Sequence, residues 1–84
     1  MSRKEKREQK IMSLSPDVSY SELESFLISK GFVLSQKRGS HRVFRNEDER
    51  LTITCPHGKS KFIAVYQLKQ VCDSIERIEA RKDD

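Results

Sequence analysis

The sequence predicts one α+β domain, in which two amphipathic helices cover one face of a three-stranded antiparallel sheet. A chain of 84 residues is the size of one small domain. Two segments with helical periodicity flank three short alternating segments. The connections between the alternating segments have hairpin length, so consecutive strands should pair and leave the other sheet face open.

The first of these two helices is expected over residues 20–30. Ser19 and Glu22 have the spacing of a capping box, and apolar residues then recur on one helical face. Gly31 suits the position just beyond a helix, where Phe32 can reach back to Leu27. Upstream, residues 1–14 form a basic extension that predicts either a short packed helix or a frayed segment.

The three strands are expected over residues 32–36, 40–45 and 51–55, with turns at 37–39 and 46–50. Val43 and Phe44 should point to opposite faces of the middle strand, because successive strand residues alternate. The closing helix is expected over residues 63–80, and 81–84 form a polar tail. One predicted apolar stripe lies on that helix, formed by Val65, Leu68, Cys72 and Ile75, and it is widened by Val71 and Ile78. This α-β-β-β-α order is also that of the double-stranded-RNA-binding fold, although order alone does not define function.

Positive charge is concentrated in the middle of the chain. The net charge is +4, and residues 30–61 alone carry eight lysines and arginines against three carboxylates. Such a surface favours a polyanionic partner such as nucleic acid, although a merely soluble basic surface has the same composition.

The cysteines and the apolar pattern argue against several other classes of protein. Cys55 and Cys72 lie in apolar patterns and are expected as buried reduced thiols. Cys55, His57 and Cys72 lack a zinc-ligand spacing, so no metal or cofactor is expected. The sequence shows neither a signal peptide nor a membrane span, which indicates a cytoplasmic protein.

The two histidines are candidates for proton transfer. His41 starts the second strand and His57 follows the third, so antiparallel pairing is expected to bring them to one end of the sheet. RNA carries its own nucleophile, the 2′-hydroxyl, and its cleavage needs a base, an acid and positive charge on the phosphate. Histidine suits both proton roles. The predicted RNA-binding residues around the histidines are Lys37, Arg38, Gly39, Ser40, Arg42 and Lys59.

Simpler interpretations remain open for these residues. A histidine at the start of a strand is more often a surface residue, and Gly39 is an ordinary hairpin residue. The aromatic residues occur in apolar patterns, which favours core packing over stacking on bases; they are Phe32, Phe44, Phe62 and Tyr66.

The stretch GFVLSQKRGSHRVFRN, residues 31–46, resembles the HicA (YcfA-like) toxins, in which a basic turn leads into Gly-Ser-His. Residues 51–71 are similar to the second half of that family, with a strand ending near Pro-His before a closing helix. The resemblance covers about residues 3–78. The chain departs from it in its longer basic N-terminus and in the Phe62–Val65 stretch, where many members have a small polar stretch with a glycine.

The resemblance implies a double-stranded-RNA-binding-like fold and an mRNA endoribonuclease that blocks translation as the toxin of a type II toxin–antitoxin pair. It places the essential histidine at His41 and leaves His57 as a second acid or base, a phosphate contact or a strand end. A HicB-like antitoxin would cover the basic face. Two rival functions stay open, namely a non-catalytic RNA-binding module and a basic adaptor for an acidic protein.

Overall fold

The computed structural model describes residues 2–56 and 61–82. Its elements are α1 (Arg3–Met12), α2 (Tyr20–Ser29), β1 (Val33–Arg38), β2 (His41–Asn46), β3 (Glu49–Thr54) and α3 (Val65–Lys82). The strands form one antiparallel sheet in the order β1-β2-β3. The predicted α+β class and the α-β-β-β-α order are confirmed.

Local sequence signals fix both ends of α2. The Ser19 hydroxyl accepts from the Glu22 backbone N–H at 3.2 Å, and the Glu22 carboxylate accepts from the Ser19 N–H at 3.1 Å. At the other end Gly31 has φ +95°, and the Phe32 N–H donates to the Leu27 carbonyl at 3.0 Å. The capping box and the Schellman-type ending are therefore both confirmed.

The hydrophobic core lies between the helices and one face of the sheet. Phe44 and Ile53 are fully buried on that face, and Leu51 is 5% exposed. The helices cover them with a continuous cluster that includes Leu23, Phe26, Leu27, Leu68, Val71, Ile75 and Ile78. On the other sheet face most described residues are exposed, including His41, Arg45 and Thr52, and only Val43 is buried, so the predicted open-faced arrangement is confirmed.

The N-terminal segment is a packed helix, which resolves the alternative left by its sequence. Ile11 of α1 is fully buried in the core. Two ion pairs join α1 to the α2 region. Lys10 of α1 lies 3.1 Å from Glu22 of α2, and Glu8 of α1 lies 2.9 Å from Lys30, the residue that follows α2. The basic extension is therefore part of the folded body.

Several element boundaries differ from the predictions. Strand β1 runs through Arg38, so the predicted turn at 37–39 shrinks to Gly39 and Ser40. Strand β3 begins at Glu49, inside the predicted charged turn 46–50, because Asn46 pairs with Glu49. The closing helix begins at Val65 rather than residue 63 and extends to Lys82.

Three predictions of burial were wrong. Val65, the first residue of the predicted apolar stripe, is 42% exposed. Cys55 is only half-buried, whereas Cys72 is buried as expected. Phe62 and Tyr66 are not core residues, since 46% and 64% of their surfaces are exposed. The core is filled instead by Ile63, which is 2% exposed and precedes the helix.

Candidate functional site

The open face of the sheet carries His41 at the end where β1 turns into β2. Cross-strand partners share a face, and His41 pairs with Arg38 on one side and Thr54 on the other. His41 and Arg38 are exposed, and Thr54 is half-buried. The structure thus places the predicted catalytic histidine directly beside one of the predicted RNA-binding arginines.

The pairing of His41 with Thr54 is of the closely spaced kind. The Cys55 N–H donates to the Ser40 carbonyl at 2.7 Å, one residue beyond this pair on each strand. That bond identifies His41 and Thr54 as a non-hydrogen-bonded pair, for which Cα atoms lie about 4.5 Å apart. The backbone N–H and C=O of Thr54 consequently point away from β2, toward the free edge of the sheet.

The open face is positively charged. Following the register from one end to the other, its described residues are Val33, Gln36, Arg38, His41, Val43, Arg45, Arg50, Thr52 and Thr54. This set contains three arginines and no carboxylate. A phosphodiester on this face therefore meets cations without an opposing acid.

Glu49, the first residue of β3, faces away from this surface, because it pairs with Asn46 on the face that carries Phe44. Glu49 accepts from Arg77 Nη2 at 2.8 Å and from the Ser74 hydroxyl at 2.7 Å, and Arg81 Nη2 lies 3.0 Å away. The Arg77 guanidinium and the Ser74 hydroxyl hold the pKa of Glu49 at about 2. The arginines of α3 thus neutralise the Glu49 carboxylate, which the sequence analysis had assigned to a turn.

Arg42 and Lys37 lie on the opposite face from His41. They pair with each other in the register, one residue from the His41 and Arg38 pair. The Arg42 Nη1 donates to the Gly39 carbonyl at 2.5 Å and to the His41 carbonyl at 3.1 Å, and its guanidinium lies 5.7 Å from the Tyr20 ring centre. Arg42 therefore braces the turn that presents His41, while Lys37 stays exposed.

The turn between β1 and β2 depends on Gly39. Its φ is +57°, in the left-handed region that most residues avoid, and a Cβ there would meet no atom within 4 Å. Ser40, which follows it, is half-buried, and its carbonyl anchors the end of β3. The predicted roles of Gly39 and Ser40 in shaping the approach to a phosphate stay predictions.

The remaining site residues, His57 and Lys59, lie outside the described residues, so their predicted proximity to His41 stays a prediction. Among residues 2–56 and 61–82, no three acidic, histidine or cysteine side chains cluster as a metal site. No helix in that same part of the chain is long and apolar enough to span a membrane.

The most informative contact was missed by the sequence reasoning. Gln67 of α3 is only 4% exposed, and its carboxamide binds both backbone groups of Thr54. A glutamine near an apolar stripe carries no signal that it caps a strand edge, because its partner lies 13 residues away.

These features define a class of protein, a small basic α+β domain that presents an exposed histidine among arginines on an uncovered sheet face. The family model described as HicA toxin of bacterial toxin-antitoxin matches residues 20–77, more than half of the 84 residues. The chain belongs to the HicA toxin family. It is thus assigned to the toxins of bacterial toxin–antitoxin systems, which implies an antitoxin partner. Comparison with curated proteins and with solved structures found no match.

Proposed function

We propose that this toxin is an endoribonuclease that cleaves mRNA in the cytoplasm, with His41 transferring the proton at the cleaved phosphodiester. The single observation that carries the proposal is the position of His41, exposed on an arginine-bearing sheet face and flanked by Arg38 and Thr54. Membership of a toxin family supports it independently.

The chemistry needs few groups from the protein. His41 acts as the base that takes the proton of the 2′-hydroxyl, whose oxygen then attacks the adjacent phosphorus. The bond to the 5′-oxygen breaks, leaving a 2′,3′-cyclic phosphate and a 5′-hydroxyl once that oxygen receives a proton. Arg38, directly across the ladder, stabilises the charge on the phosphate oxygens. No step in this route uses a metal ion.

The other predicted residues have supporting roles in the proposal. Lys59 contacts a neighbouring phosphate, and the exposed Lys37, on the opposite face beside the turn, contacts a phosphate where the strand passes the end of the sheet. Arg42 holds the turn in place while it adds positive charge. His57 is the proposed acid for the leaving 5′-oxygen or a further phosphate contact. A HicB-like antitoxin is the proposed partner, and it would inhibit the toxin by covering the basic open face.

Induction in cells tests this function. Wild type should arrest growth and fragment mRNA, whereas His41→Ala should do neither while remaining soluble and folded. Thr52→Ala is the matched control, because Thr52 is exposed on the same face and has no proposed role. Growth arrest by a folded His41→Ala variant would contradict the proposal.

The rival function, RNA binding without cleavage, predicts a different result. Binding would then weaken steeply with salt and would not depend on His41. Intact mRNA in cells that hold folded wild-type protein would favour that rival.

A further inference from the structure

An exposed aromatic side chain lies next to the candidate catalytic face, at the start of α3. Tyr66 has 64% of its surface exposed, a large fraction for an aromatic residue in a chain with so little apolar content. With Phe62 it borders a shallow cavity of about 200 Å³ against Thr54–Pro56. No step of the proposed cleavage uses this cavity.

Thr54 connects the cavity to His41. It is one of the residues that line the cavity, and it is also the closely spaced partner of His41 across the ladder. An RNA strand that crosses the sheet from His41 over β3 would therefore meet the cavity beside Thr54. The next base along that strand could reach Tyr66 without a change in the fold.

The cavity is held rigidly against the sheet. Gln67, the residue after Tyr66, is 4% exposed and binds the Thr54 N–H at 2.7 Å and the Thr54 carbonyl at 3.1 Å. These two hydrogen bonds to the backbone of one residue fix the first turn of α3 relative to the end of β3. The aromatic surface is thus preorganised, which lowers the entropic cost of stacking a base on it.

The chemistry around the cavity suits RNA. Its described lining contains no carboxylate, the exposed Lys61 precedes Phe62 in the chain, and the exposed Arg38 lies beside His41 on the sheet. An aromatic face beside cations is the usual combination for binding single-stranded nucleic acid, because every base has a face that can stack.

We propose that Tyr66 forms a nucleobase-stacking subsite for a base adjacent to the phosphodiester at His41, in single-stranded RNA. The inference rests on the proposed ribonuclease function, whose substrate it specifies. The subsite tolerates all four bases and supplies affinity and placement of the strand. Sequence preference, if the toxin has one, comes from other contacts.

A fluorescence titration tests the subsite directly. The chain contains no tryptophan, so Tyr66→Trp introduces a single indole. In a His41→Ala background, which keeps the RNA intact, a single-stranded hexanucleotide should quench that indole. The same hexanucleotide carrying one abasic position should quench it far less when the missing base is the stacked one. Equal quenching by every abasic RNA would overturn the proposal.

Measurements of RNA affinity provide a second test of the stacking subsite. In the His41→Ala background, Tyr66→Ala should weaken binding of the hexanucleotide about 5- to 100-fold, the range for loss of one stacked base. Tyr66→Phe should bind within about twofold of its parent, because the ring is retained. Ile28→Ala is the matched control, since Ile28 is 56% exposed at the far end of α2.

The outcomes separate this inference from the proposed function. Unchanged RNA affinity in Tyr66→Ala overturns the subsite, even where wild type cleaves RNA. Weakened binding to the antitoxin alone also overturns it and assigns the aromatic surface to the protein partner. Quenching and loss of affinity in a toxin that cleaves no RNA would support the subsite while contradicting the nuclease.

Discussion

The side chain of Gln67 closes the free edge of the sheet at Thr54. Its Oε1 accepts from the Thr54 N–H at 2.7 Å, and its Nε2 donates to the Thr54 carbonyl at 3.1 Å. The carboxamide therefore takes the place that a fourth strand would fill. Because Thr54 is the closely spaced neighbour of His41, this contact on α3 supports the strand that borders the candidate catalytic residue.

Replacing Gln67 should destabilise the protein and loosen the end of β3. Gln67→Leu leaves two backbone groups of Thr54 without their partners, which should lower the free energy of unfolding by about 1–3 kcal/mol. Urea denaturation measures this change, and hydrogen exchange of the Thr54 amide should accelerate. Gln70→Leu on the exposed side of the same helix is the control. Equal effects of the two substitutions would contradict the bridging role.

The left-handed backbone at Gly39 predicts a graded response to substitution. Gly39→Ala should cost about 1–2 kcal/mol, because φ is +57° and the new Cβ gains no contact. Gly39→Asn should cost less, since asparagine tolerates this conformation. Thermal unfolding of the two variants measures the difference. A stability equal to that of wild type in Gly39→Ala would show that the turn does not need the left-handed conformation.

The Glu49 carboxylate predicts a pH dependence of stability. Its pKa in the folded protein is about 2, below the ordinary 4.5, chiefly because Arg77 and Ser74 bind the charged form. The stabilisation is therefore fully present above pH 4.5 and is lost as the pH falls toward 2.

Glu49→Gln tests this pH dependence. At pH 7 the variant should be less stable than wild type by about 1 kcal/mol, a small value because the arginine partners are exposed. The difference should shrink as the pH falls from 4.5 to 2, as measured by urea denaturation at each pH. Glu47→Gln, in the exposed turn, is the control. A difference that stays constant with pH would contradict the assignment.

Helix α1 lies outside the region matched by the family model, yet it should contribute to stability. Ile11→Ala removes a fully buried side chain and should cost about 2–4 kcal/mol. Met12→Ala, at a neighbouring position that is 38% exposed, should cost much less. Thermal or urea denaturation compares them. Similar small costs would indicate that α1 packs loosely on the body.

The parts of the fold that follow from local signals could be predicted from the sequence. The capping box at Ser19 and the left-handed Gly31 fix α2 through contacts within a few residues. The alternation of Leu51 and Ile53 fixes the buried face of β3 for the same reason. Short-range geometry dictates these features whatever the rest of the chain does.

The features that were missed depend on residues far apart in the chain. Strand β3 begins at Glu49, which local reasoning assigned to a turn, and the Glu49 carboxylate is bound by Arg77, 28 residues away. The exposure of Tyr66 depends on the rotation of α3, which is set by Ile63 and Leu68 packing into the core. Periodicity gives the spacing of an apolar stripe but fixes its rotation only once the partner surface is known.

Within the candidate site, the functional residue types could be predicted from the sequence, whereas the sheet face on which each residue lies is known only from the structure. The prediction that His41 starts the second strand was enough to place it at an exposed end of the sheet. The division of the cations, with Arg38 beside His41 and Arg42 on the opposite face, follows from the alternation along β2 and the two-residue turn before it, whereas the bulge between Leu34 and Gln36 decides which faces Val33 and Leu34 take. A bulge of this kind reverses the alternation of side chains, and no residue type in the strand signals it.

The central claim, cleavage by His41 through the 2′-hydroxyl, is tested most directly with purified toxin and a single RNA oligonucleotide. The account predicts one product with a 2′,3′-cyclic phosphate end from wild type and no product from folded His41→Ala. A 2′-deoxy substitution at the cleaved nucleotide should protect that position. Cleavage by the His41→Ala variant, or of the 2′-deoxy bond by wild type, would contradict the account.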